Sequence, residues 1–252
     1  MTADQYLQNI LAREAVDVSS MSPVRQVQST LYPLLTEWAG VMLRDVHPSG
    51  SFAKGTANHS GTDIDLFISL SNSVTETLKE IYTKLFDRLK EKGYTPKQQN
   101  VSINIRVGTY DVDLVPAKHQ GGTGEDHSLY RRRADTWTKT NVLTHITKVQ
   151  GSNRTSEIRI IKLWRDQKGL DFPSFYLELV VLAALAGKGR ILSVNVWAVF
   201  QYLKDTFTTA RFVDPANSNN IISDDLSASG RAKIKAEAEK ALAASNWNQI
   251  VV

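Results

Sequence analysis

The sequence predicts an α+β protein in which a mixed sheet in the first half joins a helical second half. Three observations carry that prediction. Short runs of strand type fall between residues 65 and 116, and nearly every segment after about residue 120 places apolar residues at helical spacing. A polar stretch containing Gly121, Gly122 and Gly124 marks the change of texture.

Composition sets the frame. A chain of 252 residues, 42% hydrophobic and 22% charged, has the balance of a folded globular protein and is long enough for one large domain or two small lobes. There are no cysteines, which excludes disulfides, thiolate zinc sites and cysteine nucleophiles and fits a reducing compartment. The opening MTADQYLQNILAREAVD carries acids and no unbroken apolar stretch, so it does not read as a secretory signal. The longest apolar run, Leu177 to Gly187, is broken by Glu178 and too short to span a bilayer. The expectation is a cytoplasmic protein with no membrane partner. A net charge of +4 suits a polyanionic ligand, although the basic residues are spread along the whole chain as a solvated surface would also have them.

In chain order, Ser22-Pro23 followed by Val24, Val27, Leu31, Leu34, Leu35, Trp38 and Val41 predicts one long helix over 23–45. HPSGSFAKGTANHSGT reads as a loop, and Asp65 to Leu70 as a short strand. Residues 74–92 predict a helix stopped by Gly93, and SINIRV and YDVDLVP predict a hairpin about Gly108-Thr109. Helices are then expected over 138–150, 155–168, 174–187, 193–208 and 227–245, with DPANSNN as the loop before the last. The expected division is 1–120 for the sheet with its N-terminal helices and 121–252 for the helical part.

Three carboxylates stand out. Asp63 and Asp65 flank Ile64 at the start of the first strand, and residues two apart on a strand share a face. Asp113 lies in YDVDLVP, where Val112, Leu114 and Pro116 face away from it; Asp111 shares its face and reads as exposed. The hairpin is suited to bring Asp113 beside the first pair. Carboxylates packed so closely repel one another, and a hard divalent cation relieves that repulsion. Magnesium takes such oxygen donors together with phosphate oxygens, and a pair of ions serves in-line displacement at phosphorus.

Just ahead lies Gly50-Ser51-Phe52-Ala53-Lys54-Gly55-Thr56, a candidate triphosphate cradle. Gly50 lets backbone approach a phosphate closely, the Ser51 hydroxyl can donate to it, and exposed amides form an anion-binding concavity. Taken singly, each feature has a plainer reading: Asp63 and Asp65 as a solvent-facing pair, Lys54 as a surface lysine. His127 and His145 read as ordinary surface or loop residues, and Arg131 to Arg133 as a solvated basic turn.

GSFAKGTANHSGTDIDLFI closely resembles the Gly-Ser, then Asp-x-Asp signature of the polymerase-beta nucleotidyltransferase superfamily, and VDLVP resembles its third-aspartate strand. EIRIIKLWRDQKGLDFPSFYLELVV, DPANSNNI and AEAEKALAASNWNQIVV resemble the branch that holds archaeal-type CCA-adding enzymes, oligoadenylate synthetases and bacterial cyclic-oligonucleotide synthases. The resemblance implies a bilobed nucleotidyltransferase fold, with a mixed-sheet palm, a helical C-terminal lobe and a nucleotide cleft. It implies that Ser51, in the cradle where Gly50 and Lys54 are the other candidate triphosphate-binding residues, holds the triphosphate, that Asp63 and Asp65 bind two Mg2+ ions (Mn2+ substituting), and that Asp113 binds the catalytic metal and helps deprotonate the attacking hydroxyl. Lys162 matches a lysine that reaches the triphosphate, and its apolar neighbours Ile160, Ile161 and Trp164 make an odd setting for a charge unless it faces a cleft. Ser174 and Tyr176 match nucleotide-proximal positions, Tyr176 suiting a core equally well.

The implied reaction is attack of a ribose hydroxyl on the α-phosphorus of a nucleoside triphosphate, ATP or dATP, with release of pyrophosphate. The implied product is a short or cyclic oligonucleotide of the antiviral-signal kind, with a nucleic-acid primer or activator as a further partner. Two alternatives stay open: a terminal nucleotidyltransferase extending an RNA or DNA end or modifying tRNA or protein, and a catalytically inactive nucleotide-binding regulator. A role in tRNA maturation is not expected, because CCA-adding enzymes carry a C-terminal extension and the sequence stops before one.

Overall fold

The computed structural model describes residues 1–61 and 63–252. These fall into two compact units, one formed by Asp17–Ala57 and Gly61–Ile146 and the other by Met1–Val16, Asn58–Ser60 and Thr147–Val252. The first helix, α1 (Ala3–Arg13), opens with a capping box: the Thr2 side chain accepts from the Gln5 amide while the Gln5 side chain accepts from the Thr2 amide. Two otherwise orphaned N–H groups are thereby satisfied.

The sheet unit begins with α2 (Pro23–Ala39), whose first residue is a proline, where the missing N–H costs nothing. Gly40, at φ +53°, ends it. The expected helix over 23–45 is thus too long, because Leu43–Pro48 forms a strand, β1, paired antiparallel with β2 (Ile64–Leu70). Between them the expected loop contains a short helix, α3 (Gly50–Lys54). Next come α4 (Leu78–Glu91), capped by a Thr77–Glu80 box, and the two-residue β3 (Lys97–Gln98). β4 (Ile103–Val107) and β5 (Tyr110–His119) form the predicted hairpin about Gly108, whose φ is +60°.

A second correction concerns the residues after 120. β6 (His127–Arg131) pairs with β5, and β7 (Thr136–Thr140) pairs with β6, so that helix α5 (Val142–Gln150) starts later than residue 138. The strand pairing burdens this stretch with Leu129 and Tyr130 as buried side chains, which a polar linker could not supply. The expected division near residue 120 accordingly differs from the compact units: β6 and β7 stay with the sheet, and α1 goes with the later helices.

The strand order is β1-β2-β5-β4-β3, with β6 added to β5 and β7 to β6; among the described residues β2 and β5 are the pair that runs parallel. Strand alternation gives this sheet two unlike faces. Ile64, Leu66, Ile68, Ile103, Ile105, Val112 and Leu114 share one cluster with Val27, Leu31 and Leu35 of α2 and with Ile81, Tyr82 and Leu85 of α4. The opposite face carries a small cluster of Phe67, Ala117 and Leu129, and it is the face of Asp65 and Asp113.

In the helical unit, α6 (Thr155–Gln167), α7 (Ser174–Ala184), α8 (Leu192–Asp205) and α9 (Ala228–Ala243) enclose a core to which α1 adds Leu7 and Ile10. From Ile160 to Trp164 every residue of α6 is buried, the pattern of a central helix rather than a surface one. Among the described residues no helix is long and apolar enough to cross a membrane.

Candidate active site

The site of the sheet unit grows from register. In the parallel β2–β5 pair Asp65 stands opposite Asp113, and in the antiparallel β4–β5 pair Asn104 stands opposite the same Asp113. One rung across three strands therefore reads Asp65, Asp113, Asn104. Asp63 lies immediately before β2, two residues from Asp65.

Electrostatics reports how close these acids are. Asp63 is exposed as a residue, yet partial withdrawal of its carboxyl from water, followed by the negative charges of Asp113 and Asp111, raises its pKa above the usual carboxylate value. Asp111 itself is paired with its cross-strand neighbour Arg106 at 3.5 Å near solvent. Asp113 is held by neutral donors: its Oδ1 accepts from Asn104 Nδ2 at 2.9 Å and from Gln99 Nε2 at 3.1 Å. Ser102 Oγ lies 3.4 Å from Oδ2 but 2.8 Å from Gln99 Oε1, and its single proton favours the shorter bond.

Gly50 completes the arrangement. Its φ is +56°, and a Cβ built there would lie 1.7 Å from Oδ2 of Asp65. The backbone of the candidate cradle thus runs directly against a carboxylate, an approach open only to glycine. The Ser49 amide donates to the Asp65 carbonyl at 2.8 Å, tying the turn to β2. Ser51 is half-buried, and its carbonyl accepts from the Thr56 amide at 2.9 Å. Lys54 is buried, contrary to its plainer reading as a surface lysine.

Three expected site residues belong to the helical unit. Lys162 gives its ammonium to Glu178 at 2.6 Å, with both side chains almost wholly removed from water. Apolar neighbours and a lysine are thus reconciled by a buried partner on α7. Ser174 is exposed at the first position of α7, and its hydroxyl accepts from Arg165 Nη1 at 2.8 Å. Tyr176 is fully buried against Phe172, Phe207 and Phe212, so it occupies the core position of its two readings.

His127 corrects the surface reading: it is buried, its Nδ1 donates to the Glu125 carbonyl at 2.9 Å, and its Nε2 lies 2.8 Å from Ser69 Oγ. Burial is the main reason its pKa falls below the ordinary histidine value. His145 lies half-buried in α5. Arg131 to Arg133 are exposed, and Arg132 Nε donates to the Gln99 carbonyl at 3.1 Å. Gln99, Ser102 and Asn104 are the residues that sequence reasoning missed.

Carboxylate oxygens are the donors a hard divalent ion takes: Asp65 and Asp113 share one rung, and Asp63 just before β2 has its pKa raised first by withdrawal from water and then by the charges of Asp113 and Asp111. Among the described residues no three His, Asp or Glu side chains are grouped so as to hold a metal ion by themselves. An ion that keeps waters and phosphate oxygens as ligands needs fewer protein donors than such a group supplies.

Residues 36–118, which include β1, β2 and the first nine residues of β5, match the nucleotidyltransferase domain family. A cyclic AMP-AMP-AMP synthase from Escherichia coli (strain MS 115-1) is 27% identical over 226 residues, 79% of this chain and 70% of that protein. The fold matches that of E. coli MS115-1 CdnC with ATP, at a TM-score of 0.77 and 21% identity over 96% of this chain and 91% of that one. It also matches the Cid1 poly(U) polymerase bound to MgATP, at a TM-score of 0.70 and 13% identity over 95% and 93% of the two chains.

Proposed function

A chain with this domain and this fold is a nucleotidyltransferase, and from that premise we propose that it joins nucleoside monophosphates from ATP into a short or cyclic oligonucleotide, a signal of the antiviral kind. The rung of Asp65 and Asp113, with Asp63 beside it and Gly50 against it, is the observation that carries the reading. Asp63, Asp65 and Asp113 would hold two Mg2+ ions, and Mn2+ would substitute. Divalent ions held there supply charge stabilisation for the attacking and leaving oxygens of an in-line displacement.

The chain's own groups do the rest. Gly50 and Ser51 receive the triphosphate, in a turn that the absence of a side chain at position 50 lets run directly against the Asp65 carboxylate. The Asp113 carboxylate takes the proton of the attacking ribose hydroxyl; the new bond joins that oxygen to the α-phosphorus, and the bond to the β-phosphate oxygen breaks as pyrophosphate leaves. The product class follows the name of the E. coli relative, and ATP follows both that name and the nucleotide in the CdnC structure.

Incubating the purified chain with each ribonucleotide and deoxyribonucleotide plus Mg2+, and resolving the products by chromatography, tests this. ATP alone is expected to yield pyrophosphate and an oligoadenylate, linear or cyclic, and Asp63→Asn, Asp65→Asn and Asp113→Asn are each expected to lower turnover by at least ~10³-fold with the fold retained. The likeness to Cid1 favours a second reading, addition of nucleotides to an RNA end, which would show as product only when RNA is supplied. Unaltered turnover in the aspartate variants, or no pyrophosphate from any nucleotide either with or without added RNA, defeats both.

A further inference from the structure

We infer that Asn104 and Gln99 are positioning residues that hold the Asp113 carboxylate in its place beside Asp65. The inference rests on the nucleotidyltransferase reading above, since both residues act through Asp113.

Asn104 is the cross-strand partner of Asp113, and its amide and that of Gln99 both bond Oδ1, at 2.9 and 3.1 Å. Among the described residues Oδ2 has only the long Ser102 contact of 3.4 Å. One oxygen is fixed by two donors while the other keeps its acceptor capacity.

The side-chain amide of Gln99 is itself fixed. Ser102 Oγ donates to Gln99 Oε1 at 2.8 Å, which turns the amide nitrogen toward Asp113. The turn that carries both residues is closed by the Gln99 backbone N–H donating to the Ser102 carbonyl at 3.0 Å. Tyr82, buried beneath the sheet, directs its hydroxyl at the carbonyls of Gln99 and Ser102 at 3.1 and 2.9 Å, and Arg132 bonds the Gln99 carbonyl and, through its own amide, that of Asn100. Gln99 is exposed, and ordering an exposed glutamine sacrifices side-chain entropy that free solvation would keep. So many bonds converging on it account for the ordering.

A lysine or arginine at either position would also hold Asp113, but its charge would compete with a divalent ion for the carboxylate. Neutral amides orient the carboxylate without cancelling its charge, as outer-shell partners of metal-binding groups do.

The test uses the full chain with ATP and Mg2+, and Mn2+ binding followed by electron paramagnetic resonance without nucleotide turnover. Asn104→Leu and Gln99→Leu are expected to lower kcat by roughly 10–100-fold, with KM for ATP changed less than about twofold, and to weaken Mn2+ binding by about 10-fold. Melting temperatures should stay within a few degrees, and Asn104→Gln, which keeps an amide donor, should recover most of the loss. Wild-type kcat and Mn2+ affinity in both leucine variants overturn the inference; so does a loss that Asn104→Gln fails to recover and that follows a fall in melting temperature. Asp113→Asn separates the two levels: if it stays active, or if the wild type neither binds Mn2+ nor releases pyrophosphate, the underlying reading fails and the inference falls with it.

Discussion

A methyl group at position 50 would stand 1.7 Å from Oδ2 of Asp65, on a backbone whose φ of +56° already disfavours any residue with a Cβ. Gly50→Ala must therefore shift either the turn or the carboxylate, and a displacement of about 1 Å at a reacting centre can cost on the order of 10²-fold in rate. The expected outcome is a fall of that size in kcat for pyrophosphate release, with a loss of about 1–2 kcal/mol in denaturant stability from the left-handed backbone. Wild-type kcat in this variant would show that the close approach is irrelevant to turnover. The sequence made Gly50, Asp63, Asp65 and Asp113 legible because their chemistry lies in residue type and spacing. Gln99 and Asn104 were not legible: a neutral amide advertises nothing, and its importance here depends on which residue of β4 the register sets beside Asp113. Tyr176 stayed open between two readings for the reverse reason, since an aromatic residue after a loop looks alike whether it stacks on a ligand or, as here, on Phe172 and Phe207.

At the scale of elements, α6 and α7 are joined by the Lys162–Glu178 pair, whose side chains are 6% and 0% exposed. Removing one member strands the other charge in the core, at a cost of roughly 3–5 kcal/mol, whereas replacing both with apolar residues of similar size is often neutral or stabilising. Lys162→Met and Glu178→Leu are each expected to lose stability on that scale in urea, and the double variant to regain most of it. Single variants within about 1 kcal/mol of wild type would contradict a buried pair. Either charge alone was visible in the sequence as an interruption of an apolar run; that they meet was not, because the pairing depends on how two helices cross. Helix starts were legible in part: α6 and α7 begin at the expected residues 155 and 174, whereas α4 begins at its Thr77–Glu80 capping box rather than at residue 74, and α1 with its Thr2–Gln5 box was not read as a helix at all. β1, β6 and β7 were missed because long-range pairing overrides local spacing: the apolar residues near position 43 fit a helix until Gly40 ends it and β2 offers an edge.

For the whole molecule, chain order and compact unit disagree at the N-terminus. α1 belongs with residues 147–252, and the bonds say why: Tyr6 donates to the Val251 carbonyl at 3.0 Å, the Ser193 amide donates to Asp4 at 2.7 Å, and Arg159 bonds the carbonyls of Leu11 and Glu14 at 3.1 and 2.7 Å. No local pattern predicts such an arrangement, because α1 is an ordinary amphipathic helix whose partner could lie anywhere in the chain. Leu7 is fully buried among α6 and α8 residues in a core distinct from the one beneath the sheet. Leu7→Ala should therefore cost about 2–5 kcal/mol, the usual price of an unfilled buried leucine. If each core behaves as a cooperative unit, the loss should be local. Hydrogen exchange is expected to quicken in α6 and α8 and to leave β2 and β5 at wild-type rates. Equal acceleration in both sets of elements would mean that the two cores open together, and that the N-terminal helix supports the sheet carrying Asp65 and Asp113 as much as the helices it packs on.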